Sequence, residues 1–521
     1  MARVQDRLLG AAASKPAPFH RGDPALIERP LIELMLAPLA WLRRTIELHR
    51  KSYALMMLPG AQPLLERIAR LRERGLFLRA RDRCPAYARF LAESGYRERR
   101  PWRLEDVPVT TKENYVKRYS LEERCYGGAL AGRGEVIDES SGSSGLPNNW
   151  VRNQHEREDV KRTLQLSYGL MYNDPRRILL NCFALGPWAT GMNVSMSLAD
   201  VGTLKSIGPD AAKLENTLRM FGTGYRYLVF GYPPFIKSFV DATSLDLSAH
   251  HLDLVVGGEG MSEALRDYLL RHFRTVVSSY GASDLEINLG VETEWTIALR
   301  KRCSADPALS TALFGRDTPP MIFQYNAIDY RVERLENGEL VFSILRARGA
   351  APKVRYNLRD VGGAWTFRAL ARELAARGVE ADGLAARFGH FPVLYVYGRA
   401  DLTVAFFGAK IAPTDLEAVV LGDPALARAV RSFQFESFED ERVDRRLAIH
   451  LELTPDANAA DLDADLPGLF YRGLAKCNQD FREVTRMFQP SAIRVTVHPH
   501  GTGPFAGADV RLKNRYIAPR A

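Results

Sequence analysis

Along the chain, the rhythm of apolar and polar positions changes near residue 135. Before it, apolar residues recur at helical spacing, as in Leu64, Ile68 and Leu71 and again in Tyr87, Phe90 and Leu91. This predicts a mostly helical stretch from residue 1 to about 125, punctuated by Pro85, Pro101 and Pro108. Beyond it, short apolar runs end in glycine-containing loops that lead into helices. Arg177–Phe183 reads as a buried strand. Tyr227–Phe230 reads as another, followed by Gly231-Tyr232-Pro233-Pro234 and a helix from Phe235. Leu252–Val256 runs into Gly257-Gly258-Glu259-Gly260, then a helix with Leu265, Tyr268, Leu269 and His272 on one face. Thr275–Ser279 ends in Tyr280-Gly281-Ala282-Ser283-Asp284. Repeated strand–loop–helix units predict an α/β sheet, and ligands of such sheets bind at the loops beyond the strand C-termini.

Asn337-Gly338, between Asp329–Glu333 and Glu339–Ser343, predicts a hairpin and a change to antiparallel pairing. The C-terminal part reads as a compact α+β unit, with strands Leu447–Leu453 and Ile493–Val497 around a helical stretch near Leu469–Phe488. The boundary falls at 396–401, which gives an N-terminal domain over 1–397, with a helical extension at its start, and a C-terminal domain over 398–521.

Composition narrows the class. The chain has 521 residues, 46% hydrophobic and 26% charged, the balance of an ordinary globular protein and not of a collagen-like or disordered one. Cys84, Cys125, Cys182, Cys303 and Cys477 are odd in number and lack CxxC spacing, so neither a disulfide framework nor a structural zinc site is expected; a reducing, cytoplasmic setting is. The net charge of +9 is spread along the chain. It suits an anionic small ligand, and no clustered Lys/Arg face marks a nucleic-acid binder. Met1–Pro18 lacks the apolar core of a secretory signal. Pro30–Leu42, at 13 residues, is too short to span a bilayer. It is read as packing on the main body or as a peripheral amphipathic helix. The adjacent His250 and His251 have no metal-ligand spacing.

Several segments carry chemistry. Ser140-Ser141-Gly142-Ser143-Ser144-Gly145-Leu146-Pro147 alternates hydroxyls with glycines, which turn backbone N–H groups into one concavity suited to a polyphosphate. It is not a Walker A loop, and a flexible linker is the plain alternative. In Ser279–Asp284 a tyrosine can stack on a purine, a hydroxyl can touch a phosphate and an acid can hold Mg²⁺; an ordinary turn is the alternative. Arg355-Tyr356-Asn357-Leu358-Arg359-Asp360 places a carboxylate where it could bind a ribose, or is a solvated turn. Gly398-Arg399-Ala400-Asp401 reads as a charged hinge, followed by Gly408-Ala409-Lys410-Ile411-Ala412-Pro413 and Glu417. Gly186-Pro187-Trp188-Ala189-Thr190-Gly191 follows a strand, and Trp188 is either a pocket wall or a core residue.

In this order, the segments resemble the adenylate-forming (ANL) superfamily of acyl-CoA synthetases and adenylation domains, nearest its phenylacetate–CoA ligase-like branch. The likeness runs from about Pro85 to the C-terminus. Pro85-Ala86-Tyr87 and Pro108–Asn114 are similar to that branch's "PxY" and "PxTTKE" segments. Ser140–Pro147 is similar to its phosphate loop, Gly257-Gly258-Glu259 to its adenine-side segment, Tyr280–Asp284 to "YGxTE" and Tyr356–Asp360 to "YRxGD". Three positions depart from the pattern. Asp284 stands for Glu, so that Glu286 or a water could serve Mg²⁺ instead; Asn148 stands where many relatives have lysine; and Gly507 is followed by Ala508, which leaves Lys513 as the candidate C-terminal lysine.

The resemblance implies a large α/β adenylation domain of mixed sheets flanked by helices, with a small mobile α+β C-terminal domain. It implies ATP, Mg²⁺ and coenzyme A, or a carrier protein's phosphopantetheine, and a small carboxylic acid that becomes an acyl-AMP and then a thioester. By carry-over, Ser141, Gly142, Ser143, Ser144 and Gly145 hold phosphates, Gly258, Glu259, Tyr280 and Gly281 flank adenine, and Asp360 binds the ribose. Lys513, Ser283 and Arg399 act in catalysis and domain rotation, with Arg399 also at the nucleotide; Asp284 holds the metal; and Trp188, Gly191, Tyr232 and Ala282 line the acid pocket. The alternatives are an acyl-AMP ligase serving a carrier protein or an amine, and a non-catalytic nucleotide-binding relative. No membrane span is expected, and a homodimer is left open.

Overall fold

The computed structural model describes residues 25–140, 148–172, 174, 176–186, 188–380, 389–399 and 403–506. An antiparallel pair, β1 (Val136–Ser140) and β2 (Asn148–Arg152), precedes the main sheet. That sheet has eleven strands. Its parallel half comprises β3 (Ile178–Asn181), β4 (Thr203–Ser206), β5 (Arg226–Gly231), β6 (His251–Gly257) and β7 (Val276–Tyr280). Its antiparallel half comprises β8 (Gly290–Val291), β9 (Met321–Gln324), β10 (Tyr330–Arg334), β11 (Glu339–Ile344), β12 (Tyr356–Trp365) and β13 (Val393–Arg399). Across the sheet the order is β10-β11-β12-β13-β9-β8-β7-β6-β5-β3-β4.

The predicted strands are found within one or two residues of their expected positions, for a physical reason. β3 is buried at every residue and β5 at all but Arg226, as parallel strands covered by helices on both faces must be. Pro233 starts the helix Pro233–Ala242, where its fixed φ suits the first turn and its missing N–H leaves no bond unmade. The Asn337-Gly338 hairpin joins β10 and β11, with Gly338 at φ 84°.

In helix Gln62–Arg83 the buried face carries Leu65, Ala69, Arg72 and Leu76, while Leu64 is exposed. The apolar spacing of Leu64, Ile68 and Leu71 falls in this helix as predicted, and two charged residues, Arg72 and Glu73, also point inward. Arg72 approaches Asp329 at 3.6 Å, and Glu73 lies 3.6 Å from Arg331. The helix Ala25–Ile46 lies across this one, with Ile32 and Leu36 packed at Gly75.

After β13 come a hairpin, β14 (Val404–Phe406) with β15 (Ala409–Ile411), and a three-stranded sheet of β16 (Val430–Glu439), β17 (Arg445–Leu453) and β18 (Ile493–His498). Helices Leu466–Cys477 and Gln479–Val484 pack on it through Phe470, Leu474 and Phe481, all fully buried. Polar contacts join this body to the parallel half of the main sheet. Lys237 Nζ lies 2.8 Å from Asp444, Arg445 donates to the Gly260 carbonyl at 2.9 Å, and the Ser262 hydroxyl donates to Glu439. All five cysteines are free thiols, and no described helix is long and apolar enough to cross a membrane.

Candidate active site

The site forms where β5, β6 and β7 end. The loop after β7 is folded tightly back on itself: the Ala282 N–H donates to the Glu286 carbonyl at 2.8 Å, and Leu289 N–H to the Tyr280 carbonyl at 2.9 Å. A Cβ on Gly281 would lie 2.2 Å from the Ile287 carbonyl oxygen, so only glycine closes this turn. Its outer end is pinned from β2, because Arg152 donates to the Ser283 carbonyl at 2.6 Å while pairing with Glu156 at 2.8 Å.

Three predicted residues meet directly. The Tyr280 hydroxyl donates to Asp360 at 2.5 Å, and Arg399 lies 3.8 Å from the other Asp360 oxygen. Asp360 and Arg399 are opposed across β12 and β13, so strand register sets their contact. Burial and the adjacent Asp360 carboxylate push the Tyr280 phenol well above its ordinary value, which keeps it a neutral donor. Arg359, just before Asp360, sits at φ 69°, and Asn357 Oδ1 accepts its N–H at 2.6 Å. A non-glycine residue held in that region costs on the order of 1–3 kcal/mol and persists where surrounding structure fixes it.

Beside this triad lies a cavity of about 150 Å³. Gly258, Gly281, Ala282, Ser283, Trp188 and Tyr232 line it, and its deeper walls include Leu164, Val194, Leu198, Phe230, Val255 and Ile287. Gly191, expected in the acid pocket, is not among the lining residues. A Cβ there would stand 2.1 Å from the Ala184 carbonyl oxygen, so its role is the close approach of helix Ala189–Leu198 to the loop after β3. The end of the β1–β2 pair approaches the same mouth, where Ser140 faces Asn148 and Glu139 bridges Trp188. Ser141, Gly142, Ser143, Ser144, Gly145, Asp401 and Lys513 lie outside the described residues.

The β14–β15 hairpin closes the cavity from the C-terminal side. Gly408, Ala409 and Lys410 line it, together with Asp480, Glu483 and Val484. Tyr232 is the contact between the two sides: a Cβ on either Gly258 or Gly408 would fall 2.7 Å from its ring. Both glycines have positive φ, 87° and 88°, so neither position suits a side chain.

Lys410 is a cavity residue to which the sequence assigned no role. Its ammonium makes no hydrogen bond or ion pair among the described residues. Burial, reinforced by Arg399 and Lys112, lowers its pKa, while Asp284 and Asp360 oppose the shift. A lysine between Ala409 and Ile411 in a very short hairpin was the available signal. Glu259 shows the complementary condition. The residue is half-buried, yet both carboxylate oxygens are shut off from water without a partner, and burial pushes the carboxyl up to about 7.

The acidic residues proposed for a metal are already engaged. Asp284 is buried, accepts from the Tyr356 hydroxyl at 2.9 Å and lies 3.3 Å from Lys112 Nζ. Glu286 is held by Arg346 and, at 2.5 Å, by the Tyr330 hydroxyl, which leaves it no place in the cleft. Among the described residues no group of three or more His, Cys, Asp or Glu could hold a metal ion. This donor set does not fit a protein cage for Mg²⁺. It fits an ion held chiefly by phosphates and water beside Asp284.

No protein-family model matches the chain, and no curated protein matches its sequence. Its fold is that of a 2-hydroxyisobutyryl-CoA ligase solved with 2-HIB-AMP and CoA in the thioesterification state. The two align with a TM-score of 0.62 at 13% identity, covering 88% of this chain and 90% of that one. An amide bond synthetase, McbA from Marinactinospora thermotolerans, aligns at a TM-score of 0.42 and 16% identity over 75% of this chain and 72% of its own. An o-succinylbenzoate CoA synthetase from Bacillus subtilis aligns at 0.39 and 14%, over 62% and 60%. The mixed sheet flanked by helices agrees with the fold expected of an adenylate-forming enzyme.

Proposed function

We propose that this chain activates a small carboxylic acid with ATP as an acyl-AMP and then transfers the acyl group to coenzyme A. The observation that carries the reading is the meeting of the Ser279–Ser283 loop and the Gly408–Lys410 hairpin at one cavity, with Tyr280 of that loop tied to Asp360 and, through it, to Arg399. The motif order favours the phenylacetate–CoA ligase-like branch.

A carboxylate is a poor acyl donor because oxide is a poor leaving group. Attack of its oxygen on the α-phosphorus of ATP expels pyrophosphate, and the resulting anhydride has AMP as leaving group. Charge developing at phosphorus must meet donors fixed in advance. In this reading Ser141–Gly145 hold the terminal phosphates, Tyr280 packs on adenine with Gly258, Glu259 and Gly281 beside it, and Asp360 receives the ribose hydroxyls. Ser283 donates to the α-phosphate. Asp284 would hold Mg²⁺ through water, and that ion neutralises phosphate charge when bound. The acid's carbon body enters between Trp188, Tyr232 and Ala282.

The two half-reactions need different donors. Lys513 is assigned to adenylation. Lys410, which lines the cavity and has no ion pair among the described residues, is assigned to the anhydride phosphate as the thiol attacks, so that AMP departs with its charge balanced. Arg399 and Asp401 lie at the pivot between domains 1–397 and 398–521, about which the C-terminal domain exchanges the two lysines. A second reading, transfer to an amine, is favoured by Asp480 and Glu483 at the cavity, since carboxylates suit an ammonium better than the phosphates of coenzyme A.

The test is carboxylate-dependent ATP–pyrophosphate exchange across aryl, arylacetic, aliphatic and amino acids, followed by product analysis with coenzyme A or an amine. Exchange with at least one acid is expected. Lys513→Ala should abolish it while thioester formation from a synthetic acyl-AMP continues. Exchange unaffected by the substitution would remove Lys513 from the mechanism.

A further inference from the structure

Among the described residues, nine of the fifteen large hydrophobic side chains that stand exposed fall between Leu31 and Leu64. Their arrangement follows from the helix Ala25–Ile46. One face is fastened down: Ile32 and Leu36 are buried, and Arg43 donates to Asp329 at 2.8 Å. The opposite face carries Leu31, Leu34, Met35, Trp41 and Leu42, at 54%, 71%, 48%, 69% and 48% exposure. A helix on the surface of a globular protein normally turns a polar face outward, so this apolar outer face calls for a covering.

Charge identifies the covering. Arg44, Lys51, Arg67 and Arg70 are exposed and make no ion pair among the described residues, while Glu66 is the exposed carboxylate without one between residues 31 and 70. A second copy docked on this face would bring the same cations together, and like charges in juxtaposition oppose such a pairing. An anionic surface receives both the apolar face and the cations. Trp41 adds a side chain with an apolar body and a polar N–H, the type that settles where hydrocarbon meets headgroups. We infer that the outer face of Ala25–Ile46, with its bordering cations, docks the protein on an anionic lipid bilayer, lying in the interface without crossing it. The helix carries Pro30 and Pro38, and it does not qualify as a span. This inference is independent of the chemistry proposed at the cavity.

The test is flotation of the full chain with vesicles of phosphatidylcholine alone or mixed with phosphatidylglycerol. Binding to the mixed vesicles only is expected, falling as salt is raised, with a blue shift of tryptophan emission that Trp41→Phe removes. The double variant Leu34→Ser/Trp41→Ser should reduce the bound fraction about tenfold, since each loses burial of a large apolar side chain, without lowering Tm. Arg44→Glu/Lys51→Glu should weaken binding to the mixed vesicles alone. Failure to bind either vesicle, equal binding to both, unchanged binding by the variants, or a dimer in solution that shields Trp41 from quenchers would each overturn the assignment.

Discussion

Two clusters of charge in this protein use similar residues to opposite ends. Around Asp329, which has no exposed surface, three guanidinium groups gather: Arg43 at 2.8 Å, Arg72 at 3.6 Å and Arg346 at 3.4 Å. Their attraction outweighs the cost of burial and holds the Asp329 carboxyl well below the usual carboxylate range. Lys410, at the cavity, makes no hydrogen bond or ion pair among the described residues, and Glu259, next to the cavity residue Gly258, has both carboxylate oxygens shut off from water without a partner among them. The first arrangement joins the helix Ala25–Ile46 to the antiparallel half of the sheet. The second leaves ionisable groups at and beside the cavity without a partner among the described residues, and in the proposed reading a ligand supplies the counterpart. On that reading, completeness of pairing separates a structural cluster from a functional one more clearly than residue type does.

The comparison can be broken first at the structural cluster. Asp329→Ala leaves buried guanidinium groups without their carboxylate and should cost about 3–5 kcal/mol, read as a drop in Tm and in the denaturant midpoint. A loss under about 0.5 kcal/mol, typical of a surface substitution, would mean the cluster is not structural. At the cavity the expectation reverses. Lys410→Ala should leave Tm unchanged and slow thioester formation from a synthetic acyl-AMP about a hundredfold, as loss of one fixed donor to a developing charge does. A variant with normal turnover and lowered Tm would make Lys410 a structural residue.

Asp360 is paired with Tyr280 and Arg399 and, in the proposed reading, also receives a nucleotide. Asp360→Ala should raise KM for ATP about tenfold, equivalent to about 1.4 kcal/mol, with a smaller effect on kcat. An unaltered KM would argue against a ribose contact. The smallest effect concerns Glu259. A carboxyl raised to about 7 in the folded protein binds its proton more tightly there than in the unfolded chain. Stability should therefore fall as pH rises from the ordinary carboxylate range to about 7, and level off above it. Glu259→Gln should remove that part of the slope in Tm against pH; an identical slope would place the titration elsewhere.

How much of this was legible in the sequence depends on what each residue does. Strands β3, β5, β6 and β7 announce themselves because a parallel strand covered on both faces is built around a run of apolar residues. Tyr280 and Arg399 could be picked out because each ends a strand, whereas Asp360, expected in a turn, lies buried within β12, where pairing with β13 sets it against Arg399; the structure brings the three together. Lys410 was not, since its importance comes from the absence of partners, which spacing cannot reveal. Gly191 was misplaced because glycine serves close packing and open pockets alike, and only the 2.1 Å approach of Ala184 tells them apart. The inward face of helix Gln62–Arg83 was hidden by Arg72 and Glu73, whose burial depends on partners far along the chain.

The central claim is that a carboxylate oxygen attacks the α-phosphorus of ATP at this cavity. Turnover with an acid labelled by ¹⁸O in its carboxylate, followed by mass analysis of the nucleotide product, addresses it directly. The account predicts AMP carrying one labelled oxygen from the acid. Unlabelled AMP, or ADP in its place, would contradict it.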